Sequence, residues 1–409
     1  MQFVIIGNGV AGFTAARRIR ELDPEATIEV HAREPYHYYY RPRLPEVVAG
    51  QVEPDKIVLY APEWYAERRI DVRLSSPIRS IDPETKTVTP ESGEARPYDR
   101  LLIASGSDPF VPPIEGAGKE GVFTLRTIED AVAIRDRARD VSEAVVVGGG
   151  LLGLETARGL AAGGLEVSVL ERSDYLLPRQ LDRAGAAVLE DEIRKIGIRV
   201  IKNASTKAIA GSAGAEGVIL ESGDRVPGGL VLLSTGVRCA ASVAEEAGIE
   251  TDRGIVVDCS MRTNVPDVFA AGDVASFEGV SWGIIPVAVA QAEVAARSMT
   301  EAEKAEYCAV VPSNTLKITG IDVFSAGITS CDGDCEEHVD SDPGRGRYRK
   351  VVVRDGKIVG AIVIGSRTGA KELGAMIDAG ADVAAWGAAI VGEDFDYKGA
   401  VETATGGAS

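Results

Sequence analysis

The chain's hydrophobic pattern opens with an unbroken apolar run at residues 3–6, the signature of a strand buried on both faces. Gly7-Asn8-Gly9-Val10-Ala11-Gly12 follows, and residues 13–22 then read as a helix. Residues 28–30 form a second short apolar run, and Glu34 stands 22 residues after Gly12. The same order recurs. Residues 144–147 predict a strand, Gly148-Gly149-Gly150-Leu151-Leu152-Gly153 a loop, 154–162 a helix and 166–170 a strand. Glu171 lies 18 residues after Gly153. Two copies roughly 140 residues apart mean two separate units, because solenoid repeats recur every 20 to 50 residues or so.

Between the copies, residues 36–98 hold an aromatic and proline-bearing stretch and then β-type sequence at 74–88. Residues 100–106 are an apolar strand ending in small residues, with an echo at 229–236. After residue 312, strand-like runs at 318–325, 349–353 and 358–364 alternate with a helical pattern at 368–379, which predicts a separate α+β domain. The small, polar tail after Lys398 reads as frayed.

Each loop has a mechanical logic. The first glycine permits a tight turn, the second lets backbone approach a pyrophosphate, and the third allows the helix to press on the sheet. The phosphates then meet the unpaired N–H groups and positive dipole end of the helix. The acid closing the second strand accepts the ribose hydroxyls. A single glycine loop is a weak signal, but two complete units with an acid at the expected offset point to two dinucleotide sites.

Composition narrows the chemistry further. The 409 residues carry 62 acidic against 44 basic side chains, a net charge of −18, which argues against a nucleic-acid partner. No apolar run approaches the 18 to 20 or so residues of a membrane-spanning helix, so no membrane partner is expected. The N-terminal residues show no positively charged leader pattern, and a cytoplasmic protein is expected. The three histidines are scattered, no zinc-type spacing exists, and no metal is expected. All five cysteines, Cys239, Cys259, Cys308, Cys331 and Cys335, lie beyond residue 238. Cys331 and Cys335 flank the turn signal Asp332-Gly333-Asp334, and the favoured reading is two unpaired surface thiols, pairing across the turn being the alternative.

Residues 263–273 (Thr263, Phe269-Ala270, Gly272-Asp273) resemble the second flavin fingerprint of two-dinucleotide flavoproteins, T-x4-[FY]-A-x-G-D. With both loops, this makes nearly the whole chain similar to the pyridine nucleotide-disulfide oxidoreductase superfamily. Tyr39-Tyr40-Arg41-Pro42-Arg43-Leu44-Pro45-Glu46 and Leu176-Leu177-Pro178-Arg179-Gln180-Leu181-Asp182 resemble its NADH:rubredoxin oxidoreductase and ferredoxin reductase branch.

The resemblance implies an α/β fold of two Rossmann-like, glutathione-reductase-like domains plus the C-terminal α+β domain. Expected boundaries are 1–112 and 239–311 for the two parts of an FAD-binding domain, 113–238 for an NAD-binding domain and 312–409 for the last. It implies FAD on Gly7, Gly9, Ala11, Gly12, Glu34, Arg41, Ile78, Ser105, Arg126, Asp273 and Ile285. It implies NADH on Gly148, Gly150, Gly153, Glu155, Glu171 and Gly236. Glu155 and Arg41 are the candidate catalytic residues, Glu155 matching a carboxylate near the nicotinamide and flavin rings. A helix at 286–299 would aim its positive end at the flavin, with Trp282 nearby or merely packing. Tyr36, Tyr38, Tyr39 and Tyr40 are divided between the flavin edge and the core.

Two departures matter. Many members carry a redox cysteine early in the chain, and this sequence has none there, so the flavin itself must pass electrons onward. Ferredoxin reductases commonly place a lysine near position 46, paired with the carboxylate matching Glu155, whereas here it is Glu46, with Arg41 or Arg43 as substitutes. The expected function is hydride transfer from NADH to FAD, then electron delivery to rubredoxin, ferredoxin or a partner redox subunit. An NADH oxidase, the flavin subunit of a larger complex and an NADH-responsive redox-sensing protein are the alternatives. Glu171 predicts NADH over NADPH, because a carboxylate repels a 2′-phosphate. Arg33, Arg41 and Arg43 against Glu34 predict a local basic patch for an acidic carrier.

Overall fold

A computed structural model of the chain describes residues 1–301, 305–307, 313–318 (backbone only), 320–331 and 333–404. They fall into two compact units. One comprises Met1–Arg41, Glu53–Asp108 and Val237–Val310, the other Pro42–Val52, Pro109–Gly236 and Val311–Ser409.

The first unit is built on a five-stranded parallel sheet in the order Val268–Ala270, Arg100–Ile103, Gln2–Ile6, Thr27–His31, Ile70–Arg73. The apolar run at the N-terminus occupies its centre, and Phe3, Val4 and Ile5 are fully buried. Continuous burial rather than alternation is what a sheet covered on both faces requires. The helices Val10–Leu22 and Ile285–Thr300 pack against each other, and a Cβ on Gly272 would come within 2.9 Å of the Ala11 Cβ. A small antiparallel sheet, Ile78–Asp82, Thr87–Pro90 and Arg96–Pro97, accounts for the β-type stretch.

The second unit repeats the plan. Its parallel sheet runs Arg199–Ile201, Glu166–Leu170, Glu143–Val147, Leu230–Leu233, Val122–Phe123. The helix Leu151–Ala162 packs on the strands Glu143–Val147 and Glu166–Leu170. The short helix Leu44–Val48 belongs to this unit although its neighbours in sequence belong to the other. It packs on Leu151–Ala162 and on Ile128–Ala138. Gly159 makes the approach close: a Cβ there would lie 3.1 Å from both the Pro45 carbonyl oxygen and the Ala49 Cβ.

The unit also contains an antiparallel sheet in the order Ser313–Ile318, Ile321–Gly327, Lys357–Ile364, Arg347–Arg354, Glu336–Asp342, with the helix Ala370–Asp378 on it. Three expectations need correction here. The run at 318–325 is broken by a hairpin turn at Gly320, with a left-handed φ of 87°: Ile318 ends one strand, 321–325 lie in the next, and residue 319 is outside the described residues. The tail is helical from Tyr397 to Ala404, because Tyr397 and Ala400 are buried in the apolar cluster under Ala370–Asp378; residues 405–409 lie outside the description. Cys331 and Cys335 are joined in a disulfide rather than standing free, their Cα atoms 6.2 Å apart, a separation a disulfide can span. The turn residue Asp332, like the expected boundary between 311 and 312, lies outside the described residues.

Candidate functional site

The two glycine loops match position by position. Gly7 and Gly148 hold left-handed φ angles of 106° and 115°, which only glycine adopts freely. A Cβ on either would meet a backbone carbonyl of the neighbouring strand end, Ala104 at 2.2 Å and Ser234 at 2.1 Å. A Cβ on Gly12 or Gly153 would collide with the carbonyl oxygen of the first glycine, at 1.9 Å and 2.2 Å. Gly9 and Gly150 differ from both: nothing lies within 4 Å of their Cβ positions. Each loop therefore offers bare backbone facing open space at its middle glycine.

These middle glycines are the N-caps of Val10–Leu22 and Leu151–Ala162, and neither helix has a side-chain cap or an acid in its first turn. Two other helices of the second unit are capped by side chains. Thr127 and Asp130 form a capping box on Ile128–Ala138, and Asp182 caps Arg183–Lys195. The loop helices thus keep their first-turn N–H groups for an anion, and a pyrophosphate fits both cradles.

The two acids are held differently. In the second unit Glu171 accepts the Gly149 N–H at 3.0 Å and the Ser173 N–H at 2.7 Å, so its carboxylate stands beside the loop. In the first unit Glu34 accepts the Tyr39 hydroxyl at 2.5 Å and the Arg41 guanidinium at 2.5 Å. Tyr39 is buried by this contact, while Tyr38 stacks on Phe13 with ring centroids 4.7 Å apart. Tyr36 meets Tyr39 edge-on, and Tyr40 remains exposed.

Several further candidates gather at the strand ends of the first unit. The Ser107 hydroxyl donates to the Asp273 carboxylate at 2.8 Å, and Ser281 donates to the Asp273 carbonyl at 2.8 Å. The Ser105 hydroxyl turns instead to the Ala240 carbonyl, 2.7 Å away. Ala11 and Ile78 are buried, Ile78 at the start of its small sheet. Ile285 begins the helix Ile285–Thr300, which has Pro286 in its first turn and neither acid nor side-chain cap there. Trp282 is 44% exposed just before it. Ser107 and Ser281 have no signal in the sequence, where isolated serines carry no pattern. Arg126 belongs to the second unit, where its backbone N–H donates to the Asp130 carboxylate.

The arginines of residues 33–43 are committed to carboxylates: Arg33 to Asp108 at 2.6 Å, Arg41 to Glu34, Arg43 to Glu46 at 2.7 Å. The expected basic patch is therefore neutralised in place. The charged neighbours that act on Glu155 are Arg158 and Glu46, and Arg43 is itself held by Glu46. Glu155 is half-buried on the helix after the second loop. Burial pushes its pKa up to about 7, with the Glu46 carboxylate adding to the rise and Arg158 opposing it. Gly236, beyond the strand Leu230–Leu233, has a φ of 106° and open space beside its Cα.

Residues 1–297 match the family model described as pyridine nucleotide-disulphide oxidoreductase, and residues 312–381 match the rubredoxin NAD+ reductase C-terminal domain. The chain is 35% identical over 383 residues to a nitrite reductase [NAD(P)H] of Bacillus subtilis, covering 93% of this chain and 48% of that protein. It thus spans about half the length of that relative. It is 34% identical over 368 residues to the NADH-rubredoxin oxidoreductase of Clostridium acetobutylicum, covering 89% of this chain and 91% of the other. The crystal structure of NADH:rubredoxin oxidoreductase from the same organism superposes with a TM-score of 0.78 at 32% identity, over 93% of this chain and 96% of that one. Paired Rossmann-type units, twin glycine cradles and a matching C-terminal sheet agree with these likenesses, and the chain belongs to the pyridine nucleotide-disulphide oxidoreductase family.

Proposed function

We propose that the chain is an FAD-dependent NADH:acceptor oxidoreductase, which takes a hydride from NADH and passes electrons to a small carrier such as rubredoxin or ferredoxin, or to a partner redox subunit. The observation that carries this reading is the duplicated cradle: two parallel sheets, each ending in a bare-backbone loop, an uncapped helix and an acid. The fingerprint at 263–273 assigns the first cradle to FAD and leaves the second for the nicotinamide nucleotide. Bound FAD supplies the chemistry of accepting a hydride and releasing electrons singly.

The chain's own residues then have distinct tasks. Gly7, Gly9 and Gly12 admit the FAD pyrophosphate to the helix N-terminus, and Ala11 holds that helix against the turn at Gly272. Glu34 takes the adenosine ribose, and Arg41 and Tyr39 orient its carboxylate. Asp273, fixed by Ser107, faces the ribityl and pyrophosphate region. Ser105, Ile78 and Ile285 complete the FAD set. The helix Ile285–Thr300 presents an uncapped positive end suited to negative charge on a reduced flavin. Gly148, Gly150, Gly153 and Gly236 receive NADH, with Glu171 on its adenosine ribose and Glu155 toward the nicotinamide.

For location we keep the cytoplasmic reading: the free thiols Cys239 and Cys259 fit a reducing setting, whereas the Cys331–Cys335 disulfide is of a kind rare there and counts against it. Among the described residues no helix is long and apolar enough to cross a membrane. The four-segment division at residues 112, 238 and 311 remains the reading we adopt for the domains.

The test is anaerobic. NADH is added to the FAD-loaded protein, flavin absorbance is followed, and rubredoxin, ferredoxin, quinone, oxygen and disulfides are offered in turn. NADH should bleach the flavin with a kcat/KM at least tenfold above that of NADPH, and a one-electron carrier should restore the colour. Failure to bind FAD would overturn the reading, and so would turnover with disulfides alone.

A further inference from the structure

The short helix Leu44–Val48 brings charged groups to the second loop helix that the sequence places more than a hundred residues away. Gly159 lets the two helices touch at Pro45 and Ala49. Glu155 lies one helical turn before Gly159, on the same face. Glu46, next to Pro45, faces it, held by Arg43 at its Nε (2.9 Å) and Nη2 (2.7 Å). Arg158 supplies the other cation, from Glu155's own helix. The remaining elements against this helix add little charge. The strands Glu143–Val147 and Glu166–Leu170 are ionisable only at their first residues, at the end remote from the loop, and the strand Ser313–Ile318 has Lys317 as its single ionisable residue.

The topology says which end of a nucleotide this cluster meets. Glu171 follows the strand Glu166–Leu170, on one side of Glu143–Val147, and Leu230–Leu233 lies on the other. The short helix packs on Ile128–Ala138, which packs on Leu230–Leu233. With the adenosine ribose at Glu171 and the pyrophosphate at the loop, the nicotinamide runs toward the side where Glu46 and Glu155 stand. That ring is cationic when oxidised and neutral when reduced.

We infer that Glu155 is a charge sensor for the redox state of the bound nicotinamide: it holds a proton beside the neutral ring and gives that proton to solvent beside the cationic one, and Glu46 is the positioning residue that keeps it poised between the two. The inference rests on reading the second loop as the nicotinamide nucleotide site. Burial, with a smaller push from the Glu46 carboxylate and against the pull of Arg158, disfavours a charge on Glu155, so it is near balance at neutral pH, where a neighbouring ring charge tips it.

The test uses the FAD-loaded protein and two probes, NAD+ and tetrahydro-NAD, a neutral-ring mimic that donates no hydride. Calorimetry gives both dissociation constants from about pH 6 to about pH 8. Taking their ratio cancels the shared phosphates. The ratio Kd(NAD+)/Kd(tetrahydro-NAD) should fall about fivefold over that range, the linkage expected for a pKa moved about one unit by the ring charge. NAD+ binding should release a proton near neutral pH, seen by comparing buffers of different ionisation enthalpy. Glu46→Gln should move the fall in the ratio to lower pH, Glu155→Gln should flatten the ratio at its low-pH value, and Glu46→Asp should return the fall to its original pH. A flat ratio in the unaltered protein with both probes bound would overturn the sensor. An unshifted fall in Glu46→Gln would overturn the part assigned to Glu46. Binding of neither probe would instead bring down the reading of the loop.

Discussion

Gly9 and Gly12 stand three residues apart and respond oppositely to an added methyl group. At Gly12 the methyl would sit 1.9 Å from the Gly7 carbonyl oxygen, backbone against backbone, with no flexible group to yield. Gly12→Ala should lower stability by about 1–3 kcal/mol or more, the usual range for overpacking, read as a fall in Tm. At Gly9 the methyl enters open space, so Gly9→Ala should keep its Tm without cofactor yet lose FAD, read as the flavin-to-protein absorbance ratio. Glu155 gives a pH-dependent expectation. Burial, with Glu46 adding, lifts its pKa to about 7 from an unfolded value of about 4.3. The fold therefore favours the protonated carboxyl. The stability that this brings is whole below about pH 4 and is lost as pH rises to about 7. Glu155→Gln cannot ionise, so it should gain on the unaltered protein between about pH 5 and pH 8, by on the order of 1 kcal/mol after allowance for solvent screening. Thermal melts at the two pH values check this.

Periodicity and punctuation foretell an element well when its reason is local. Gly-rich turns, buried runs and the acid closing the second strand put both loops, their helices and their strands within a few residues of the observed positions. What the sequence does not show is pairing at long range. Nothing in Asp182 announces that it caps Arg183–Lys195 while accepting the Tyr348 hydroxyl at 2.6 Å and the Lys350 ammonium at 3.0 Å. Lys350 is only 3% exposed and also meets Glu337 at 2.9 Å, so a strand of the C-terminal sheet holds a helix of the nucleotide-binding part through a buried cation. Burial disfavours its charge, but its two carboxylates outweigh that and raise its pKa, so the contact stays intact through neutral pH. Lys350→Met leaves Asp182 without its cation and should lower stability by about 3 kcal/mol, while adding Asp182→Asn should recover part of the loss. Chemical denaturation of the two single variants and the double measures the coupling. The arginines at 33, 41 and 43 teach the same lesson: read in sequence they form a basic patch, but folding gives each its own carboxylate.

For the molecule as a whole, those neutralised arginines change what its net charge of −18 means for an acidic carrier. With the patch cancelled, long-range repulsion is the term left for salt to screen. Raising ionic strength from about 0.02 to about 0.2 M should leave the rate of reduction of an acidic carrier unchanged or increase it severalfold in stopped-flow measurements. A steep decline would point to an attractive patch elsewhere on the surface. The interleaving of the chain has a different kind of consequence. Because Pro42–Val52 is encoded within the first unit's stretch of gene but folds with the second, the two units do not correspond to separable blocks of coding sequence. A chimera that imports residues 109–236 from a relative would set a foreign loop helix against the resident Leu44–Val48, and Gly159 would have to find a Pro45 and an Ala49 of matching size. Recombination of this protein, in the laboratory or in evolution, succeeds only when an eleven-residue passenger from the other half travels with its partner.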